Sequence, residues 1–166
     1  MNFSTTDLCD EYEDRPGVIQ VAQPVFQHFG GRKKFAGRIA TLKLFEDNQL
    51  VRNAVTEDGT GKVLVVDGGG SLRGALVGDV LAKKAADNGW AGIIVFGAIR
   101  DSSVVGTLPI GMMALGLIPR RSPKKGEGAR EVTVRFADVT FTPGHYVYAD
   151  EDGILVAATS LLKQQA

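Results

Sequence analysis

Hydrophobic positions in the middle of the chain follow two different patterns. Lys62–Asp67 and Gly92–Gly97 are almost continuously apolar, and such runs predict strands that are covered on both faces. Asp79–Asn88, between them, has apolar residues at helical spacing, and Gly89 after it favours the end of a helix. The residues predicted to face inward on this helix are Val80, Leu81, Ala85 and Ala86. The pattern therefore predicts strand, helix and strand, the repeating unit of an α/β fold.

Weaker patterns extend this arrangement toward both ends of the chain. The capping residues Ser4–Asp7 predict a short N-terminal helix, and apolar residues at i, i+4 predict another at Asn48–Val55. Asp150–Gly153 has the composition of a hairpin turn. The strands predicted outside the central unit are Val18–Val21, Phe35–Leu44, Val132–Phe136, Val139–Phe141, His145–Ala149 and Ile154–Ala157. Because no linker separates the βαβ part from this final β-meander, we expect one α/β domain over residues 1–166.

Composition and charge restrict the possible functions. The 19 basic and 19 acidic side chains give a net charge of zero, which argues against direct nucleic-acid binding. The longest apolar run, Ile110–Ile118, is much shorter than the roughly 20 residues of a membrane span, so we expect no membrane insertion. The lone Cys9 excludes an internal disulfide and is typical of a reducing cytoplasm. The basic stretch Arg120–Lys125 is interpreted as a solvated loop, with a patch for phosphate or an acidic partner as the alternative.

The corner at Gly78–Leu81 is the first candidate site. The first backbone N–H groups of a helix lack intrahelical partners and lie at the positive end of its dipole, so they bind carboxylate or phosphate. Glycine at position 78 lets the chain approach such a ligand closely. The alternative is a purely structural cap, in which Asp79 bonds its own turn.

The second corner, Arg100-Asp101, follows the predicted strand Gly92–Gly97. The carboxyl end of a buried parallel strand opens into the crevice where α/β proteins bind ligands. Arginine grips carboxylates with two parallel hydrogen bonds, and aspartate is a hard oxygen ligand suited to Mg²⁺ or Mn²⁺. A surface ion pair or a cap is the alternative. Because one helix joins the two corners, we expect them to face each other across one crevice. Asp67 is interpreted as a turn residue, with a contribution to the site as the alternative.

These residues resemble those of a known family. Val65–Gly70 leads through Ala75–Asp79 to Gly92–Asp101, and a glycine, a helix, a strand and Arg-Asp at this interval form a fairly specific signature. The chain resembles the family of the regulator of ribonuclease activity A and the 4-hydroxy-4-methyl-2-oxoglutarate aldolases, from Thr6–Asp10 to Tyr148–Ile154. The resemblance implies a compact α/β domain of the swivelling β/β/α type, with mixed sheets and flanking helices. It also implies a homotrimer or a dimer of trimers.

The same resemblance implies a class II aldolase that cleaves 4-hydroxy-4-methyl-2-oxoglutarate into two pyruvates and decarboxylates oxaloacetate, using Mg²⁺ or Mn²⁺. In such an enzyme the backbone amides of Gly78, Asp79, Val80 and Leu81 hold the substrate carboxylate. Arg100 binds the substrate, and Asp101 holds the metal largely through water. Since charge develops on the 2-oxo oxygen, a metal and an arginine placed there stabilise it. We expect Asp79, acting through water, to transfer the proton.

One position departs from the family pattern. Many of the aldolases carry an acidic residue three positions after the motif aspartate, where this chain has Val104. Two alternatives to the lyase stay open. One is a non-catalytic regulator that binds and inhibits an endoribonuclease by protein contact, although members acting in that way lack the motif aspartate that Asp101 supplies here. The other is a structural trimer with a vestigial pocket.

Overall fold

A computed structural model describes residues 1–163 and shows a mixed α/β domain. In chain order the elements are α1 (Thr5–Tyr12), β1 (Ile19–Val21), β2 (Gln27–His28), β3 (Phe35–Lys43), α2 (Gln49–Ala54), β4 (Lys62–Asp67), β5 (Ala75–Val77), α3 (Asp79–Asp87), β6 (Gly92–Ile99), α4 (Ser102–Val105), β7 (Gly111–Leu117), β8 (Ala129–Arg130), β9 (Val134–Phe136), β10 (Val139–Phe141), β11 (Tyr146–Asp150) and β12 (Gly153–Ala157). None of the helices in this described part is long and apolar enough to cross a membrane.

Ten strands form one sheet, whose main path runs β1-β12-β11-β3-β4-β6-β7-β2. Strands β3, β4, β6 and β7 are parallel neighbours, and β5 pairs with β6 in the same direction. The outer strands β1, β12, β11 and β2 run antiparallel to their neighbours. As a result, the carboxyl ends of β5 and β6 reach the same edge of the sheet, where the two candidate corners begin.

The central strands are covered on both faces, as their continuous hydrophobicity predicts. On β4, Leu64 and Val66 belong to the apolar cluster that includes the buried residues of α2 and α3. The alternate residues Val63 and Val65 belong to the opposite cluster, together with Val134, Phe136, Val139 and Phe141 of β9 and β10. Helices therefore pack on one face and a small hairpin on the other, and the α/β architecture with a mixed sheet is confirmed.

The prediction of a final β-meander is wrong in one respect. Strands β9 and β10 form a separate two-stranded sheet, whereas β11 and β12 join the large sheet beside β3 and β1. The pairing of β11 explains the separation, because β3 occupies one of its edges and β12 the other, so neither edge is left for β10. The hairpin turn at Asp150–Gly153 is confirmed, with Asp150 opposite Gly153.

Two strands beside the site have no counterpart in the sequence prediction. Strand β5 has only three residues, and β7 occupies the apolar run Ile110–Ile118, to which the sequence analysis assigns no element. The glycines within that run obscure the period of the strand. One of them, Gly111, is required because a Cβ there would lie 2.1 Å from the ring of Phe35.

Candidate functional site

The two predicted corners meet at one edge of the sheet. The Arg100 N–H donates to the Val77 carbonyl oxygen at 3.0 Å, which ties the end of β6 to the end of β5, immediately before α3. Asp101 follows in a left-handed conformation with φ 59°, which a non-glycine residue adopts rarely and aspartate more readily than most. This conformation turns the chain into α4 and leaves the Asp101 side chain beside the beginning of α3.

The Asp101 carboxylate caps the first turn of α3. Its Oδ2 accepts the backbone N–H of Asp79 at 3.1 Å. A Cβ on Gly78 would lie 2.7 Å from the same oxygen, so the absence of a side chain at position 78 permits this contact. Glycine at this position is predicted to allow close approach to a ligand. In the structure, the group that approaches it closely is the carboxylate of Asp101.

Arg100 lies beside this carboxylate without being fully engaged by it. Its Nε is 3.8 Å from Asp101 Oδ2, and its Nη1 donates to the Pro119 carbonyl oxygen at 3.4 Å. The side chains of Arg100 and Asp101 are each 38% exposed. The ion pair offered as the structural alternative is thus present, but it is long, and the guanidinium keeps donors that face solvent.

The structural alternative for Asp79 is also present in part. Asp79 Oδ1 accepts the N–H of Val80 at 2.8 Å, so this carboxylate bonds its own turn. The next amide, that of Leu81, belongs to the first turn of the helix, where no intrahelical acceptor exists. Of the four amides predicted to bind a substrate carboxylate, two therefore already have protein acceptors in this structure.

The prediction that Val80 faces inward is wrong. It is 64% exposed, while the buried residues of α3 are Leu81, Ala82 and Ala85. At 100° per residue, Val80 lies about 150° around the helix axis from the centre of that buried face. Its side chain therefore stands at the rim of the site, and only its backbone belongs to the predicted anion-binding turn.

Both corners line a single cleft of about 160 Å³. Its residues from the predicted site are Gly78, Asp79, Val80, Leu81, Arg100 and Asp101. The cleft is also lined by residues that the sequence analysis does not assign to it, namely Asn48, Arg52, Ala75, Arg121 and Lys124. With four cationic side chains against two carboxylates, the lining has an excess of positive charge and suits an anion.

The basic stretch Arg120–Lys125 is thus more than a solvated loop. Its arginines and lysines are exposed, as predicted, but Arg121 and Lys124 border the cleft, and Ser122 is buried. The alternative of an anion-binding patch agrees better with this position. The density of cations was a signal for it, whereas the fold of the loop against β5 could not be predicted from local sequence.

Asp47 holds this loop against the beginning of α2. Its Oδ1 accepts the N–H groups of Gln49 and Lys125 at 3.0 and 3.1 Å, and its Oδ2 accepts that of Glu127 at 2.9 Å. Burial of Asp47 would raise its pKa, but these backbone hydrogen bonds outweigh burial and lower the pKa below its ordinary value. An ionised Asp47 therefore fixes one wall of the cleft.

Asn48 brings an unused acceptor to the cleft. Its Nδ2 donates to the Leu76 carbonyl oxygen at 3.2 Å, which fixes the orientation of the amide. Its Oδ1 is buried and has no hydrogen-bond partner among residues 1–163. A buried polar atom without a partner is costly, and a bound ligand or water at the cleft would satisfy it.

The donor set fits a hydrated divalent cation better than an ion enclosed by protein. Within the described chain, no three His, Cys, Asp or Glu residues are grouped so that they could hold a metal. Mg²⁺, however, keeps several waters and is commonly bound through one or two carboxylates. Asp101 supplies such a carboxylate, and Asn48, which also lines the cleft, has a side-chain oxygen without a partner in the described chain.

Comparison with known proteins identifies the family. A family model described as RraA-like, Aldolase/RraA, matches residues 5–156. The chain belongs to the Aldolase/RraA family. A relative from Aromatoleum aromaticum is 56% identical over 162 residues, covering 98% of this chain and all of the relative, and is provisionally named a 4-hydroxy-4-methyl-2-oxoglutarate aldolase. The family resemblance predicted from the sequence is therefore confirmed.

Solved structures of the Aldolase/RraA fold carry more than one activity in their names. An S-adenosylmethionine:2-dimethylmenaquinone methyltransferase from Geobacillus kaustophilus has 49% identity and a TM-score of 0.93, covering 99% of this chain and 100% of that one. The RNA-processing inhibitor RraA from Thermus thermophilis has 44% identity and a TM-score of 0.92, covering 100% and 99%. The chain therefore has the same fold as both proteins, and the fold alone does not decide between these activities.

Proposed function

We propose that this member of the Aldolase/RraA family is a metal-dependent carbon–carbon lyase. Its substrates are 4-hydroxy-4-methyl-2-oxoglutarate, which it cleaves into two pyruvates, and oxaloacetate, which it decarboxylates. The observation that supports this proposal most strongly is the meeting of Arg100, Asp101 and the N-terminal turn of α3 in one cationic cleft. The name of the 56% identical relative agrees with the aldolase part of the proposal.

Substrate binding uses groups that already converge. The carboxylate next to the 2-oxo group binds at the first turn of α3, where the Leu81 amide has no intrahelical acceptor. Arg100 lies beside this turn and donates to the substrate oxygens through the guanidinium N–H groups that its long contact with Asp101 leaves open. Because Arg100 keeps its charge at any physiological pH, it stabilises the negative charge that develops on the 2-oxo oxygen.

Cleavage of the hydroxy acid requires a proton acceptor. As the proton leaves the 4-hydroxyl group, the C3–C4 bond breaks, C4 becomes the ketone of one pyruvate, and the bonding electrons form the enolate of the other. A proton then returns to C3 of that enolate. Asp79 lies in the cleft with one carboxylate oxygen bonded to the Val80 amide, and we assign it the proton transfer, through a water molecule.

Asp101 is the residue that would hold the implied divalent cation, and its Oδ2 already accepts the Asp79 N–H. When bound, Mg²⁺ or Mn²⁺ polarises the 2-oxo group and adds positive charge where the enolate forms. Val104 stands where many of the resembled aldolases have an acidic residue, and its hydrocarbon side chain has no oxygen to offer the cation.

The direct test measures pyruvate release by the intact protein from both substrates. We expect turnover with Mg²⁺ or Mn²⁺, loss of turnover with EDTA, and recovery when the metal is restored in excess. Release no faster than the uncatalysed rate with either substrate, under any of these metal conditions, would overturn the lyase proposal.

The alternative function is inhibition of an endoribonuclease through protein contact. The likeness to the RNA-processing inhibitor RraA of Thermus thermophilis, at 44% identity over the whole chain, favours it. Inhibition of RNA cleavage by this protein, without any pyruvate release, would replace the lyase by this regulator. Since the net charge is zero, such inhibition should leave RNA alone unbound in a gel-shift measurement.

We also propose that the protein works as a homotrimer or a dimer of trimers in the cytoplasm. The apolar side chains of Val80, Val104 and Leu117 are 64%, 45% and 51% exposed, and burial between subunits would remove them from water. The lone Cys9 is compatible with a reducing compartment.

A further inference from the structure

Two arginines of the cleft have no role in the proposed reaction. Arg52 lies in the last turn of α2, and Arg121 lies in the segment that follows β7. Both line the cleft that contains Arg100 and the beginning of α3. They come from α2 and from the segment paired with Ala75, and so from parts of the chain other than β6 and α3, which supply the predicted corner.

Other cations on the surface have carboxylate counter-ions, whereas Arg52 and Arg121 have none in the described part of the chain. Arg130 donates both Nη atoms to the carboxylate of Glu57, at 2.7 and 2.8 Å, and Lys83 lies 2.8 Å from the Asp87 carboxylate. In contrast, within residues 1–163 neither Arg52 nor Arg121 has a carboxylate within 4.0 Å. Cations that line a cleft without a protein counter-ion are available to an anionic ligand.

The backbone on both sides of Arg121 is fixed. The Ala75 N–H donates to the Arg120 carbonyl oxygen at 2.7 Å, and the Ser122 N–H donates to the Ala75 carbonyl oxygen at 3.2 Å. Ser122 is only 2% exposed. Arg121 is therefore attached to the short strand β5, which also borders the cleft, and its position does not depend on a free loop.

Arg52 is also supported by packing. It is half-buried, and the neighbouring Val51 is completely buried in the core under α2. The Arg52 N–H donates to the Asn48 carbonyl oxygen at 3.1 Å, so the first turn of this helix connects it to another residue of the cleft. The backbone of Arg52 is therefore fixed beside the cleft, as that of Arg121 is.

We infer that Arg52 and Arg121 form a second carboxylate-binding subsite, which recognises the distal carboxylate of a 2-oxo dicarboxylic acid. This inference rests on the proposed function, because it takes the 2-oxo acid end of the substrate to be bound by Arg100 and the turn Gly78–Leu81. A planar guanidinium matches a carboxylate with two parallel hydrogen bonds, which a point charge cannot do. The subsite selects dianionic substrates over monoanionic ones of the same length.

The test compares the binding of two ligands that differ only at the distal end. 2-Oxoglutarate and 2-oxovalerate have the same five-carbon 2-oxo acid skeleton, and only the former has a terminal carboxylate. Calorimetry with the full chain, at constant ionic strength and with Mg²⁺ present, gives both dissociation constants without requiring turnover. We expect wild-type protein to bind 2-oxoglutarate about tenfold or more tightly than 2-oxovalerate, as expected for an added charge-assisted contact.

Variants at the two arginines then locate that selectivity. R52Q and R121Q should each weaken 2-oxoglutarate binding by about tenfold and change 2-oxovalerate binding by less than about threefold, because only the distal contact is lost. The matched control is R120Q, which removes an equal charge from the adjacent residue outside the cleft and should leave both constants unchanged. R121K, which keeps the charge but not the fork, should fall between R121Q and wild type.

Three results would overturn the subsite. They are equal binding of the two ligands by wild-type protein, equal weakening of both ligands by R52Q or R121Q, and full retention of 2-oxoglutarate selectivity in both variants. If pyruvate release from oxaloacetate is metal-dependent while the selectivity survives in both variants, only the subsite is wrong. If 2-oxoglutarate does not bind and no pyruvate is released, both the subsite and the proposed function are wrong.

Discussion

At the level of single residues, Gly78 and Asp101 depend on each other. The Asp101 carboxylate occupies the space where a side chain at position 78 would lie, with Oδ2 at 2.7 Å from an ideal Cβ. The backbone of Gly78, at φ −125°, is one that alanine also adopts. The requirement for glycine at this position is therefore a matter of space near the carboxylate and not of backbone freedom.

Gly78→Ala should consequently damage activity more than stability. We expect metal-dependent pyruvate release to fall at least about tenfold, since displacement of reacting groups by even 1 Å is costly. The thermal midpoint should change by only a few degrees. Gly116→Ala is the matched control, because a Cβ there would meet no atom within 4 Å, and it should behave as wild type. Full activity of Gly78→Ala would contradict the role given to this contact.

Asp79 allows a separation of the two proposed reactions. Cleavage of the hydroxy acid needs a base for the 4-hydroxyl proton, whereas the carboxylate lost from oxaloacetate is already ionised. Asp79→Asn should therefore lower cleavage of 4-hydroxy-4-methyl-2-oxoglutarate by about 10²–10⁴-fold and affect oxaloacetate decarboxylation much less. Initial rates with both substrates measure this difference, and equal losses would assign Asp79 a role other than proton transfer.

At the level of elements, two buried aspartates connect segments that are distant in the chain. Asp47 joins α2 to the cationic segment near the cleft. Asp150 accepts the N–H and the hydroxyl of Thr5, both at 2.7 Å, and so attaches α1 to the turn between β11 and β12. Burial would raise the pKa of each carboxyl group. Backbone hydrogen bonds to Asp47, and bonds from the backbone and the Thr5 hydroxyl to Asp150, outweigh burial and lower both pKa values.

These lowered pKa values predict a loss of stability in acid. The unfolded carboxyl groups titrate near the ordinary pKa of 3.8, so each ionised group contributes its full stability above that value. The contribution is lost as the pH falls from there through the lower pKa of the folded state. Thermal midpoints measured from pH 6 downward should fall steeply below about pH 4 in wild type, since unfolding then takes up protons.

The substitution Asp47→Asn tests whether the ionised carboxylate stabilises the contact between α2 and the cationic segment. Its amide would present a donor to backbone N–H groups that need an acceptor, so we expect about 2 kcal/mol of destabilisation near neutral pH. The difference from wild type should shrink as the pH is lowered, because the wild-type carboxyl group then becomes neutral as well. A difference independent of pH between 6 and 3 would show that the charge of Asp47 is not what stabilises this segment.

The helix and the strand that form the core of the site could be predicted, whereas the opposite wall of the cleft could not. Asp79–Asp87 and Gly92–Ile99 have strong local periods, and one connection joins them, so the meeting of Gly78 with Asp101 followed from the sequence. Asn48, Arg52 and Arg121 reach the cleft through the pairing of β3 with β4 and of Ala75 with Arg121. Such contacts between distant segments leave no period in the sequence.

At the level of the whole molecule, the layered core was more predictable than its connections. A continuous apolar strand predicts that its residues alternate between two apolar clusters. Val63 and Val65 belong to one cluster, and Leu64 and Val66 belong to the other. The placement of β9 and β10 on the opposite face of the sheet did not follow, because their short apolar segments fit either sheet. Stacked rings of Phe96 and Phe136, with centroids 4.8 Å apart, help to decide the placement.

The proposed assembly is also a property of the whole molecule. Light scattering coupled to gel filtration should give three or six times the chain mass of 17.7 kDa. Val104→Lys or Leu117→Lys should shift the distribution toward smaller species, since a charge cannot be buried there without a partner. A wild-type protein that remains at 17.7 kDa at micromolar concentration would contradict the trimer.

The most direct test of the lyase site compares Asp101→Asn with wild type in metal-dependent pyruvate release. Asparagine tolerates the left-handed backbone of residue 101 and keeps its shape, so the substitution removes charge with little change in fold. Asp87→Asn, which removes a carboxylate from the exposed C-terminal end of α3, is the control. We predict near-complete loss of release from both substrates in Asp101→Asn and normal rates in Asp87→Asn. Wild-type rates and metal dependence in Asp101→Asn would contradict the role of Asp101 in the proposed lyase site.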